Sequence, residues 1–178
     1  MKRLQKIARD DGTWNALRKK WKLQYEGNDE QQSAYEKLLS ETLQPIVQDE
    51  SGRAYVYAVD DDRYSFVCFV NHTELPGHVG EVLRVRHVTM CPRLDSEDYE
   101  LREYIEKLSE LITGLITLSE KELLTGCIKL HLRSPADYVY LKTFGNKLDQ
   151  DKRFNVSSHG AWLVLEKTGQ GEKVVQTA

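Results

Sequence analysis

Apolar residues recur on two different periods along this chain. From Glu81 to Met90 they crowd into Glu81-Val82-Leu83-Arg84-Val85-Arg86-His87-Val88-Thr89-Met90, with Gly77 and Gly80 before the run and Pro92 after it. Such a run, rich in β-branched and aliphatic side chains and bounded by breakers, predicts a strand. Beyond it the period lengthens. Leu101, Tyr104, Ile105, Leu108, Leu111, Ile112, Leu115 and Leu118 fall three or four apart, as on one buried side of a helix. Ser96 suits the N-cap, and Glu97, Asp98 and Glu100 put negative charge in the first turn, so a helix is expected over 96–118. Cys127 to Arg133 is strand-like again. Strand, crossover helix, strand predicts a parallel pair. Its junction, Cys91 to Ser96, is where α/β sheets bind ligands and where an anion would meet free backbone N–H groups.

The remaining pattern fills in around this unit. Residues 1–26 combine a basic cluster (Lys2, Arg3, Lys6, Arg9, Arg18, Lys19, Lys20, Lys22) with Trp14, Leu17 and Trp21 near helical spacing. One or two short helices are expected, broken near Asp11-Gly12, with a solvated basic face and the tryptophans in the core. A second helix is expected from Glu30 to Leu43 and is ended by Pro45. Arg53–Val59 and Tyr64–Val70 read as a hairpin around Asp60-Asp61-Asp62-Arg63, a polar tip rather than a metal site. Asn71 to Gly80 reads as a loop; its His72, Glu74 and His78 match no zinc spacing, so no metal is expected. Thr113-Gly114 is a weak point in the long helix. Ser134-Pro135 opens a further helix that Gly145-Asn146 stops. Two last strands are expected at Asn155–Ser158 and Ala161–Glu166. One domain over 1–168 and a frayed tail at 169–178 complete the expectation.

Composition adds exclusions. The 178 residues are 40% hydrophobic and 30% charged, with a formal net charge of -3. That is ordinary for a globular protein and lacks the basic excess of a dedicated nucleic-acid binder. Cys68, Cys91 and Cys127 have no framework spacing, which predicts reduced thiols in the cytoplasm. No apolar run approaches the ~20 residues of a membrane span. The basic start lacks the apolar core of a signal peptide.

The order of elements, helix-helix-strand-strand-strand-long helix-strand-helix-strand-strand, resembles the GNAT acyltransferase superfamily over most of the chain. Thr89-Met90-Cys91-Pro92-Arg93 is similar to that family's apolar-x-Pro step at the end of its central strand. Arg133, Ala136, Tyr140 and Phe144-Gly145 fall near its later Asn, Ala, Tyr and aromatic-glycine positions, with Arg in place of Asn and the last pair reversed. The family's cofactor loop, Gln/Arg-x-x-Gly-x-Gly/Ala, has no counterpart: residues 93–100 contain no glycine and carry Asp95, Glu97, Asp98 and Glu100.

The resemblance implies an α/β (α+β) fold: a mixed, mostly antiparallel sheet with a central parallel pair and helices on both faces. It implies acyl transfer from acetyl-CoA or another acyl-CoA to a small-molecule or peptide amine. Tyr140 matches the general acid, and His87 and His131 are candidate bases. Met90, Arg93, Ser96 and Arg133 are candidate cofactor contacts. Arg84 and Arg86 share a strand face and could add to an anion site. Cys91 reads as a small buried residue rather than a nucleophile. The alternative is a GNAT-like domain without cofactor binding that serves as a binding or assembly module. A third reading is a nucleic-acid-associated protein using the basic N-terminal helices.

Overall fold

The computed structural model describes residues 4–96, 100–131 and 153–168. The helix expected after Ser134, together with Arg133 and Tyr140, lies outside them, as does the tail from 169. Seven strands form one sheet: β1 (Leu4–Ile7), β2 (Ala54–Val59), β3 (Phe66–Glu74), β4 (Glu81–Met90), β5 (Cys127–His131), β6 (Phe154–His159) and β7 (Trp162–Lys167). Their order across the sheet is β1-β2-β3-β4-β5-β7-β6. Among the described strands only β4 and β5 run parallel; every other neighbouring pair is antiparallel. The expected parallel pair and the last hairpin are therefore present.

Among the described residues there are four α-helices: α1 (Thr13–Tyr25), α2 (Asp29–Lys37), α3 (Gln44–Val47) and α4 (Leu101–Lys121). Registered partners share a face. Leu4, Val59, Phe66, Cys68, Val70, Val85 and Ile128 look toward α4, whose Gly114 lies against Leu4 and whose Tyr104 meets the Phe66 ring at 5.8 Å. Helices α1 and α3 pack on the opposite face, over β1 and β2, and α2 packs against α1. Trp14, Leu17, Trp21 and Tyr25 of α1 are buried there while Leu23 is exposed. The basic side of α1 is a solvated face, as expected.

Four expectations are corrected. The first is the N-terminus, where a strand precedes α1. Leu4 to Ile7 pairs with Val59 to Val56, which satisfies backbone groups that an isolated short helix would hold only marginally. The second is Pro45, which does not stop a helix. The backbone widens to a π-helix over Leu38–Leu43, and α3 begins with the proline in its first turn. There the Gln44 N–H reaches back to the Leu39 carbonyl. The wider turn relieves the clash that a proline ring makes inside an α-helix.

The third correction is the start of α4. The helix begins at Leu101 after Glu100, with no side-chain cap, and Ser96 instead donates to the Arg93 carbonyl at 2.7 Å. Leu101 is consequently 67% exposed, while Leu108, Leu111, Ile112 and Leu115 are buried. The fourth is the loop from Asn71, whose first four residues extend β3, with His72 opposite Leu83 and Glu74 opposite Glu81. Among the described residues no helix is long and apolar enough to cross a membrane.

Candidate active site

The carboxyl end of β4 is irregular. Val67 pairs with Thr89 and Phe69 with Arg86, so Cys68 alone faces both His87 and Val88. This is a β-bulge, the device that re-aims side chains beside functional sites. His87 takes a left-handed backbone, φ 49°, a region that few residues other than glycine adopt. Regular alternation would turn His87 toward α4. The bulge instead stacks its ring on Phe69 at 6.0 Å, on the face opposite α4. Arg84, Lys129 and Trp162 share that face by register. His131 is there too, edge-on to the Trp162 ring at 4.8 Å, and the Arg84 guanidinium lies 5.3 Å from the same ring. Sequence reasoning chose both histidines but missed Trp162 and Phe69, the rings that hold them. Their only signal was aromatic residues on strands expected to share a sheet.

Among the described residues, β4 pairs with β5 no further than Val85 with Leu130; His131 pairs with Trp162 of β7.

The loop after β4 is tightly tied. The Tyr35 hydroxyl lies 3.1 Å from the Met90 carbonyl and 3.0 Å from an Asp95 carboxylate oxygen. Burial, then the Asp95 charge, pushes the Tyr35 phenol far above its ordinary value, so it stays a donor. The Arg93 amide donates to Gln24 Oε1 at 3.3 Å, and Gln31 donates to the Pro92 carbonyl at 3.4 Å. The Leu94 and Asp95 amides both donate to the Cys91 carbonyl. A pyrophosphate cradle needs free amides aimed outward and no adjacent carboxylate. The amides of Cys91, Arg93, Leu94 and Asp95 are all spent within the protein and the segment presents Asp95, so it does not fit a pyrophosphate.

Two other cations near the start of α4 are engaged. Arg63 meets Glu103 at 2.7 Å, and Lys107 meets Asp61 at 3.1 Å. Arg93 is exposed. Cys91 is fully buried and its thiol is pushed up by burial, which removes it as a nucleophile. The histidines of the 71–80 segment separate. His72 is bracketed by Glu81 at 3.4 Å and the Leu124 carbonyl at 3.3 Å, whereas His78 lies 3.8 Å from Glu166.

A solved structure of a probable acetyltransferase from Staphylococcus epidermidis aligns over 94% of this chain and 100% of its own, with a TM-score of 0.54 and 13% identity. The fold is GNAT-like. A GNAT-family acetyltransferase from Staphylococcus aureus aligns over 93% of this chain and 99% of its own, with a TM-score of 0.45 and 9% identity. No family model matches the sequence, and no curated protein matches it. The mixed sheet, the parallel β4–β5 pair and the helices on both faces are the architecture that the order of elements implied.

Proposed function

We propose that this chain transfers an acyl group from an acyl-CoA thioester to an amine, borne by a small molecule or a peptide. The observation that carries this reading is the bulge at His87-Val88, which turns His87 onto the sheet face that holds His131, beside the parallel β4–β5 pair of a GNAT-like sheet. An extended, amide-bearing arm such as pantetheine suits the end of β4, where the bulge interrupts regular pairing. Coenzyme A would supply an acyl group activated as a thioester. His87 or His131 is assigned to take the acceptor amine's proton as general base. Tyr140, the position that the resemblance gives for the acid, is assigned to return a proton to sulfur. Met90 borders the site, while Arg93 and Arg133 are the cations assigned to meet phosphate. Ser96 is turned back onto Arg93 and is dropped from the set.

A second reading, a GNAT-like module that binds no cofactor, is favoured by the tied, glycine-free loop at 91–96. Calorimetry with acetyl-CoA and its desulfo analogue separates the two. The acyltransferase reading expects saturable binding that Arg93→Ala or Arg133→Ala weakens by about tenfold, one lost phosphate contact. No binding at millimolar cofactor would sink it in favour of the module.

A further inference from the structure

At the opposite end of β4 and β5 from this site, three side chains of different chemistry converge. His78 comes from the β3–β4 loop, Cys127 from the first position of β5, and Glu166 from β7. One potential ligand atom from each lies within 4.8 Å of the other two. The sheet itself assembles the set: Cys127 is in register with Glu166 on β7 and with Val82 on β4. The third member is delivered by the turn Leu75–Gly80, where Gly77 and Gly80 both have positive φ and the His78 amide donates to the Leu75 carbonyl. Neighbouring Val79 is 91% exposed, so the turn directs its imidazole inward and its apolar side chain outward. Val82, Val164 and Leu75 form an apolar floor around Cys127.

We propose that His78, Cys127 and Glu166 form a binding site for a borderline-soft divalent cation of the zinc type. The donor set decides the class of ion. Thiolate and imidazole select zinc and its neighbours over the oxygen-seeking calcium and magnesium. Zinc–ligand distances of about 2.0–2.3 Å place adjacent tetrahedral ligand atoms about 3.4–3.6 Å apart. His78 Nδ1 and Glu166 Oε1, 3.8 Å apart, already approach such an edge. Closing the 4.8 Å limit to that spacing needs about 1 Å of movement. Glu166 can supply it, since its side chain is 51% exposed and ends in a flexible stem. Three protein ligands leave a fourth position open to water or to another donor. Lys129, two residues along the same strand face, brings positive charge near the thiol, which sets this site apart from an all-thiolate structural centre.

Cobalt(II) is the probe, because a bound thiolate gives it a charge-transfer band that imidazole and carboxylate do not. With the full chain, one equivalent of Co2+ should produce that band, and Zn2+ should abolish it by competition. Cys127→Ser should remove the band, while Cys91→Ser should leave it. Glu166→Gln changes a partly exposed residue without opening the core. It should weaken Co2+ binding by about a hundredfold or more, since losing a ligand costs at least what losing an outer partner does. The absence of a thiolate band in the unaltered protein overturns the proposal. So does a band that survives Cys127→Ser, or an affinity that Glu166→Gln leaves unchanged.

Discussion

Asp61 carries a charge into the protein with its partners already arranged. Its side chain is only 4% exposed, and it accepts from the Arg63 and Ser65 amides, the Ser65 hydroxyl and Lys107. Burial raises its pKa, but the Ser65 hydroxyl and amide and then Lys107 outweigh it, so the carboxyl sits below the ordinary 3.8. Its contribution to stability is complete above that unfolded value and is lost as pH falls through the lower folded one. Asp61→Asn should therefore flatten the urea-melt stability profile between about pH 5 and pH 2. At neutral pH it should cost about 3 kcal/mol, the low end for breaking a buried pair, because Lys107 keeps Glu110 at 3.3 Å. Gly114 makes the opposite kind of test. Alanine there would ordinarily gain ~1 kcal/mol of helix propensity. Here its Cβ would stand 2.5 Å from Leu4 Cγ, a branch point that cannot swing away. Gly114→Ala should instead lose about 1–3 kcal/mol by urea denaturation, and much less in a Leu4→Ala background.

For the elements, the stripe of α4 divides where the helix begins. Leu108→Ala should cost about 2–5 kcal/mol, whereas Leu101→Ala should stay within ~0.5 kcal/mol in the same melts. The division also shows what could be read beforehand. Strand β4, the parallel pair and the interior of α4 were legible because long apolar periods dominate any local competitor. The beginning of α4 was not, because Ser96 makes an equally good bond to the Arg93 carbonyl within its own turn. Strand β1 was missed for a different reason: Leu4 and Ile7, three apart, fit helical spacing and fall on opposite faces of a strand, and only the distant partner Val56–Val59 overrides that local signal. Extending β3 through His72 and Glu74 likewise depends on the facing strand rather than on local propensity. In the candidate site, both histidines could be named from sequence. The bulge that turns His87, and the ties from Tyr35, Gln24 and Gln31 to the loop, depend on contacts between distant segments and left no local mark.

Over the whole molecule, the three free thiols report on integrity. Cys68 and Cys91 are fully buried and Cys127 is 7% exposed; burial pushes Cys68 up to about 12 and Cys127 up to about 11. A thiolate-seeking reagent should label the native protein slowly and accelerate through the urea transition. Immediate labelling of Cys91 would show that the loop beyond β4 is not fastened as described. The position of β1 has a consequence in time rather than in stability. To join the sheet it must close the long segment from Ile7 to Val56, whereas β2 and β3 meet across the short one from Ala58 to Val67. The roughly sixfold difference in length adds about 1.5 kcal/mol of closure entropy. Its Leu4 must also find the notch at Gly114, which exists only once α4 lies across the sheet. Strand β1 is thus built into the fold after its neighbours β2 and β3, and in a pulsed hydrogen-exchange refolding experiment its amides acquire protection after those of the β2–β4 meander.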